Sequence, residues 1–144
     1  MNETFIPISN IIKRKWYEID CKNEKLGRIA CVCSILLTGK LKPYYHPAFD
    51  TGDYVILKNA EYLTFDKKIN KFHVFSPGRP GKSFKHLVNV LPEFIIEKCI
   101  FNMMPNCFAK RQLKYRLKIY QGPNHPHSAQ SPIKLESFDK IIKL

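Results

Sequence analysis

The sequence predicts an α/β fold, a parallel sheet with flanking helices, and three observations carry that expectation. Trp16, Tyr17, Glu18, Ile19 and Asp20 alternate in the manner of a strand. Leu26, Ile29, Ala30, Cys33, Leu36 and Leu37 then recur at the spacing of one helical face. Tyr54, Val55, Ile56 and Leu57 form a continuous apolar run, as in a strand covered on both sides. Strand, helix and covered strand in that order make a right-handed βαβ unit, in which the two strands run parallel.

The elements follow in order. Residues 1–15 read as an extended arm, with Pro7 and then the basic cluster Lys13, Arg14 and Lys15. Asn23 is suited to cap the first helix, with Glu24 in its first turn, and Gly39 suits the C-terminal cap. Residues 40–53 include Pro43 and Pro47, which forbid regular structure. Within them Asp50, Thr51, Gly52 and Asp53 are too few for a calcium loop and read as a turn leading into the strand at Tyr54. Residues 62–76 suggest an arm or hairpin through 72–75. Residues 83–91 and 92–104 read as two helices. Pro92 lies at the first turn of the second, whose buried stripe is Ile95, Ile96, Cys99, Ile100 and Met103. Leu117, Lys118, Ile119 and Tyr120 make a short strand. The expected organisation is an arm (1–15), one domain (16–132) and a short amphipathic tail (133–144).

Charge narrows the function. A chain of 144 residues that is 44% hydrophobic can bury a real core, which separates it from a disordered basic tail. Yet it carries 24 Lys and Arg against 12 Asp and Glu, a formal charge of +12. Between Lys67 and Lys118 twelve cations face only Glu93 and Glu97. Residues 98–130 hold Lys98, Lys110, Arg111, Lys114, Arg116 and Lys118 with no acid, interleaved with Phe108, Tyr115 and Tyr120. Self-repulsion of this size is relieved by a polyanion whose phosphates meet the charges and whose bases meet the rings.

Other classes are set aside on spacing. Gly78, Arg79, Pro80, Gly81, Lys82 and Ser83 lack the four-residue gap of a nucleotide-binding phosphate loop, but such a tight basic turn can hold an RNA phosphate. His125 and His127 have no neighbouring Cys or carboxylate for a metal, and nothing orients either as a catalytic base; prolines hold them to meet phosphate, ribose or base instead. Cys21, Cys31, Cys33, Cys99 and Cys107 are odd in number and lack zinc-knuckle spacing, so small buried side chains in a reducing compartment are expected. No apolar run reaches membrane-span length, and residues 1–15 have the pattern of neither a secretory signal nor a transit peptide. Phe, Ile, Lys, Asn and Tyr are abundant while Arg occurs five times, a bias towards A/T-rich codons that suits an organellar genome or an AT-rich bacterium.

Taken together, several blocks resemble one family. These are Trp16-Tyr17 with Asp20; Leu26-Gly27-Arg28; Gly39-Lys40, Lys42-Pro43, Tyr45 and Pro47; Asp50 to Ile56; Asn59-Ala60-Glu61; Gly78 to Gly81; Glu97-Lys98; Met103-Met104-Pro105; Leu117 to Tyr120; and Gly122-Pro123 leading to His125, His127 and Ala129-Gln130. In this order they resemble the large-subunit ribosomal protein thirteen family of bacterial and plastid type. The resemblance implies a three-layer α/β/α fold with a parallel four-stranded sheet. It also implies a non-catalytic constituent of the large ribosomal subunit that binds its rRNA early in assembly, near the ribosomal proteins numbered three and twenty. By position it implies rRNA contacts at Arg28, Lys40, Lys42, Arg79, Arg111, Arg116, Lys118, His125 and His127; the local cations Lys82, Lys110 and Lys114 join them. The sequence departs from the family at Phe75-Ser76-Pro77, Lys82, Phe101-Asn102, Asn106-Cys107 and Lys110. The opening arm is reminiscent of algal plastid-encoded members, which with the codon bias implies a plastid ribosome ahead of a bacterial cytoplasm. No cofactor, metal, membrane or small-molecule substrate is expected. The rival readings are a free regulatory RNA-binding protein and a nucleotide-dependent enzyme. The second needs a glycine-rich turn after the first strand, where Cys21-Lys22-Asn23-Glu24 offers none.

Overall fold

The computed structural model describes residues 13–64, 71–73, 84–86, 92–105 and 110–135. Two strands anchor it. β1 (Trp16–Asp20) and β2 (Tyr54–Lys58) pair in parallel, Trp16 opposite Tyr54 and Asp20 opposite Lys58, with α1 (Leu26–Thr38) crossing between them. β3 (Lys71–His73) and β4 (Phe84–His86) form a separate antiparallel pair. α2 (Pro92–Met103) and α3 (Lys110–Arg116) follow, and α3 runs directly into β5 (Leu117–Ile119). β6 (Ile133–Leu135) completes a four-stranded parallel sheet of order β5-β2-β1-β6. The α/β class and the parallel four-stranded sheet are thus as expected. The edge strand β6 falls among residues assigned to the tail from sequence.

Side chains alternate across a strand, so the register sorts them by face. Tyr17, Ile19, Val55, Leu57, Leu117 and Ile119 share one face with the helices. There they pack with Ile29, Cys33, Leu36 and Leu37 of α1, Ile96 and Ile100 of α2, and Leu113 of α3. Each such side chain contributes about 1.5–3 kcal/mol by leaving water. Trp16, Glu18, Tyr54, Ile56 and Lys118 lie on the opposite face. Ile56 is fully buried although it stands apart from the helix-covered core.

The helix α1 ends as its sequence demands. Gly39 takes the left-handed conformation (φ 75°) and donates its N–H to the Ile35 carbonyl at 3.0 Å. Its start differs from expectation. Asn23 is itself left-handed (φ 62°), and Lys25 in extended conformation precedes the first helical residue. The reason lies far along the chain. The Glu24 carbonyl accepts the Thr64 N–H at 3.0 Å and Lys25 bridges to Thr64, so these residues pair rather than cap.

Three further expectations are corrected. The helix foreseen over 83–91 contains instead β4, because pairing with Lys71–His73 supplies backbone partners that no local pattern reveals. In α2 Met103 is 49% exposed and Met104 is buried in its place, since the helix ends there and the backbone turns. Cys31 is exposed, unlike its buried neighbour Cys33. The short helix α3 had no counterpart in the sequence reading.

Candidate nucleic-acid interface

The face of the sheet opposite the helices is layered with flat rings. Trp16 and Tyr54, paired across β1 and β2, stack with centroids 4.3 Å apart and planes 7° from parallel. Next along the strands Glu18 is only 6% exposed, and its Oε1 accepts a charged hydrogen bond from Lys58 Nζ at 2.8 Å. The segment after β5 folds back over this row. Tyr120 N–H donates to the Leu57 carbonyl, Ala60 N–H to the Tyr120 carbonyl, and Asn59 N–H to the Gly122 carbonyl.

This return brings both imidazoles onto the face. His125 Nε2 lies 3.3 Å from Glu18 Oε2, and His125 Nδ1 accepts the His127 N–H at 3.2 Å. Because Nδ1 accepts, the His125 proton sits on Nε2 and is directed to the carboxylate. His127 Nε2 is 2.8 Å from the Tyr120 hydroxyl, and its ring leans on Trp16 at 5.2 Å. The prolines alone do not hold these side chains. Glu18 and Tyr120 fix both, which prepays the ordering that binding would otherwise cost.

The electrostatics agree. Burial acts to raise the Glu18 carboxyl, but hydrogen bonds and charge from Lys58 and His125 outweigh it and leave it lowered. Burial lowers His127, helped by His125 and Lys118. A depressed imidazole stabilises the fold above its unfolded value of 6.5 and loses that contribution as pH falls below it. Thermal melts should therefore show stability decreasing as pH drops through 6.5, then again below about 4.5 as the lowered Glu18 is protonated. In the His127→Gln variant the first decrease should shrink and the second persist.

The expected cations divide into two groups. Arg28 in the first turn of α1 and Lys40 just beyond its end are exposed. Lys114 is exposed and reaches Glu97 at 2.9 Å, an ion pair that solvent screens heavily. Lys110 and Lys118 are half-buried. Lys42 and Arg116, by contrast, turn inward, against the expectation that they present charge outward. Lys42 Nζ bonds Asp53 Oδ1 at 2.5 Å and the Thr51 carbonyl at 2.8 Å. Arg116 is 4% exposed and grips both oxygens of Asp50, with Arg14 a further 3.5 Å partner. Burial and the charge of Arg14 push Arg116 down to about 10, so it stays protonated near neutrality. Arg79 and Lys82 lie outside the described residues, as does the side chain of Arg111.

Among the described residues no group of three His, Cys, Asp or Glu could hold a metal ion, and no helix is long and apolar enough to cross a membrane. Burial pushes the Cys21 thiol up to about 12 and raises Cys33 strongly, so neither is a nucleophile. Among the described residues, what remains is a ring-lined sheet face held by hydrogen bonds, with Lys118 on it.

Comparison with known proteins decides what carries such a face. The family model described as Ribosomal protein L13 matches residues 14–126. The chain belongs to the ribosomal protein L13 family. It is 54% identical over 138 residues to large ribosomal subunit protein uL13c of Trieres chinensis, covering 96% of this chain and 99% of that one. It is 43% identical over 141 residues to uL13 of Trichodesmium erythraeum, covering 94% and 93%, and 44% identical over 138 residues to uL13 of Prochlorococcus marinus, covering 92% of both. A member of the L13 family is a structural ribosomal component, not an enzyme.

Within this L13 domain the residues that sequence reasoning missed are the acids. Glu18 orients His125 from 107 positions away, and Asp50 holds Arg116 from 66. A weak signal existed for the first. Glu18 is the one charged residue between Trp16 and Ile19, and a charge that a strand buries needs a partner.

Proposed function

We propose that this protein binds large-subunit rRNA through the sheet face bearing Lys118, His125 and His127 together with Lys114 of the adjoining α3, with Arg28, Lys40, Lys110 and Arg111 extending the contact. The protein is a structural constituent of the large ribosomal subunit, and its location is the plastid ribosome. The observation that carries the RNA reading is Lys118 of β5 on the same sheet face as imidazoles already locked by Glu18 and Tyr120, with Lys114 exposed on the adjoining α3. Flexible lysines alone suit any polyanion. Fixed rings and donors beside them suit one folded surface. Binding takes place early in assembly, and neutralised phosphates then let distant rRNA segments pack despite their repulsion. The ribosomal proteins numbered three and twenty are the proposed neighbours. Arg79 and Lys82 are further proposed contacts. Lys42 and Arg116 support the surface from within, by fixing the loop of residues 50–53 and the end of α3.

Salt tests this reading. If about six phosphates are engaged, log affinity for an rRNA fragment should fall against log salt with a slope near −4 to −5. The double change Lys114→Gln and Lys118→Gln should make that slope shallower by about 2 and leave the melting temperature nearly unchanged. A slope near zero for the unaltered protein rejects the proposal. Sedimentation separates the free-regulator alternative: a wholly soluble pool, never migrating with large subunits, would support that rival.

A further inference from the structure

A second ring-lined feature lies away from the histidine turn. Between the C-terminal end of α1 and the loop of residues 43–50 is a cleft of about 310 Å³, reached past Lys40, Tyr45, His46 and Phe49 with Leu37 and Leu113 at its base. Resting on the rRNA reading above, we propose that this cleft seats a single unpaired base of large-subunit rRNA, splayed out of its helix.

Shape, charge and donor geometry each favour that occupant. The volume is at the small end for binding sites, enough for one flat heterocycle and too little for a folded peptide element. His46 and Phe49 meet with centroids 5.4 Å apart and planes 58° from parallel, so the rim offers ring faces in two orientations. Phe49 is 40% exposed, so part of its ring is available at the rim to a stacking partner. Among the described residues lining the cleft the one carboxylate is Asp50, which is bound by Arg116 and Arg14, and Lys40 adds a further cation. A backbone phosphate flanking the bound nucleotide is therefore attracted. His46 supplies the recognition element. Its Nδ1 accepts the Ala48 N–H at 3.1 Å, so the neutral ring carries its proton on Nε2, a donor suited to the acceptors of a base edge.

The test uses the full-length protein and the same rRNA fragment as the salt titration. Phe49→Leu keeps an apolar side chain but removes the flat ring, and His46→Ala removes the donor. Together they should weaken binding roughly tenfold to a hundredfold, since base stacking on an aromatic ring has that worth. The log–log salt slope should stay the same, because no phosphate-binding cation has been removed. Melting curves check that both variants fold, and the single Phe49→Leu change serves should the double variant not. Independently, ultraviolet crosslinking of the unaltered protein in large-subunit particles should join rRNA to the peptide containing His46 and Phe49. Unchanged affinity of a folded variant alongside a steep slope overturns the base seat but leaves the rRNA reading standing. A slope near zero for every variant overturns both. A crosslink from that peptide to another protein, or none at all, also overturns the seat.

Discussion

Arg116→Met should destabilise the domain by about 3–5 kcal/mol, because it leaves the Asp50 carboxylate buried without its main partner. The guanidinium holds both oxygens of Asp50 and links the end of α3 to the loop that leads into β2. Arg14 at 3.5 Å remains as a weaker counter-charge, which places the expected loss towards the lower end of that range. Asp50→Asn should cost a similar amount by stranding the arginine. The two changes together should cost less than their sum, since removing both charges also removes the desolvation each imposes. Equilibrium urea denaturation of the four proteins measures the coupling directly. Additive losses would mean that the two groups act separately. This test also separates the inward role of Arg116 from an rRNA contact, because the loss appears in the free protein.

Gly52→Ala is the second large effect. A Cβ on Gly52 would lie well inside contact distance of the Leu37 carbonyl oxygen and carbon, and 3.0 Å from Arg116 Nη1. The obstruction is backbone, in the last turn of α1, and Leu37 itself is fully buried in the core. Neither side can yield easily, so a loss of about 3 kcal/mol is expected, at the upper end of ordinary overpacking. The Asp53 N–H bonds the Leu36 carbonyl at 3.2 Å and would be strained along with it. Gly27 provides the contrast. It lies in α1 with nothing within 4 Å of its added Cβ, so Gly27→Ala should stabilise by up to about 1 kcal/mol through helix propensity alone. Thermal melts of the two alanine variants should therefore move in opposite directions. A Gly52→Ala protein as stable as the parent would contradict the close approach of the loop to α1.

Local pattern and distant pairing account for what could and could not be read in advance. β1, α1 and β2 were legible because their signals are local, an alternation, one helical face and a continuous apolar run, each within a dozen or so residues. Gly39 was legible because a left-handed cap after an apolar helix leaves few alternatives. The strand Phe84–His86 was not, since its partner Lys71–His73 lies across ten residues, and the tight turn read at 78–83 does not by itself say which flanking residues pair. β6 was hidden for a related reason: three residues, Ile133, Lys134 and Leu135, join the sheet only because β1 presents a free edge to them. At the candidate site, basic composition marked residues 98–130 as rich in cations but could not separate outward charges from inward ones. Lys42 and Arg116 turn inward because Asp53 and Asp50 wait for them in a turn that sequence alone reads as a simple bend. His125 and His127 were singled out by their proline setting, whereas Glu18, which fixes one of them, required the fold.

The central claim is that the cations at Lys40, Lys114 and Lys118 face rRNA in the assembled particle. Amine-reactive labelling, read by mass spectrometry on the free protein and on intact large subunits, addresses it directly. All three lysines should label readily in the free protein and be protected in the particle. Equal labelling of the three in both states would contradict the account.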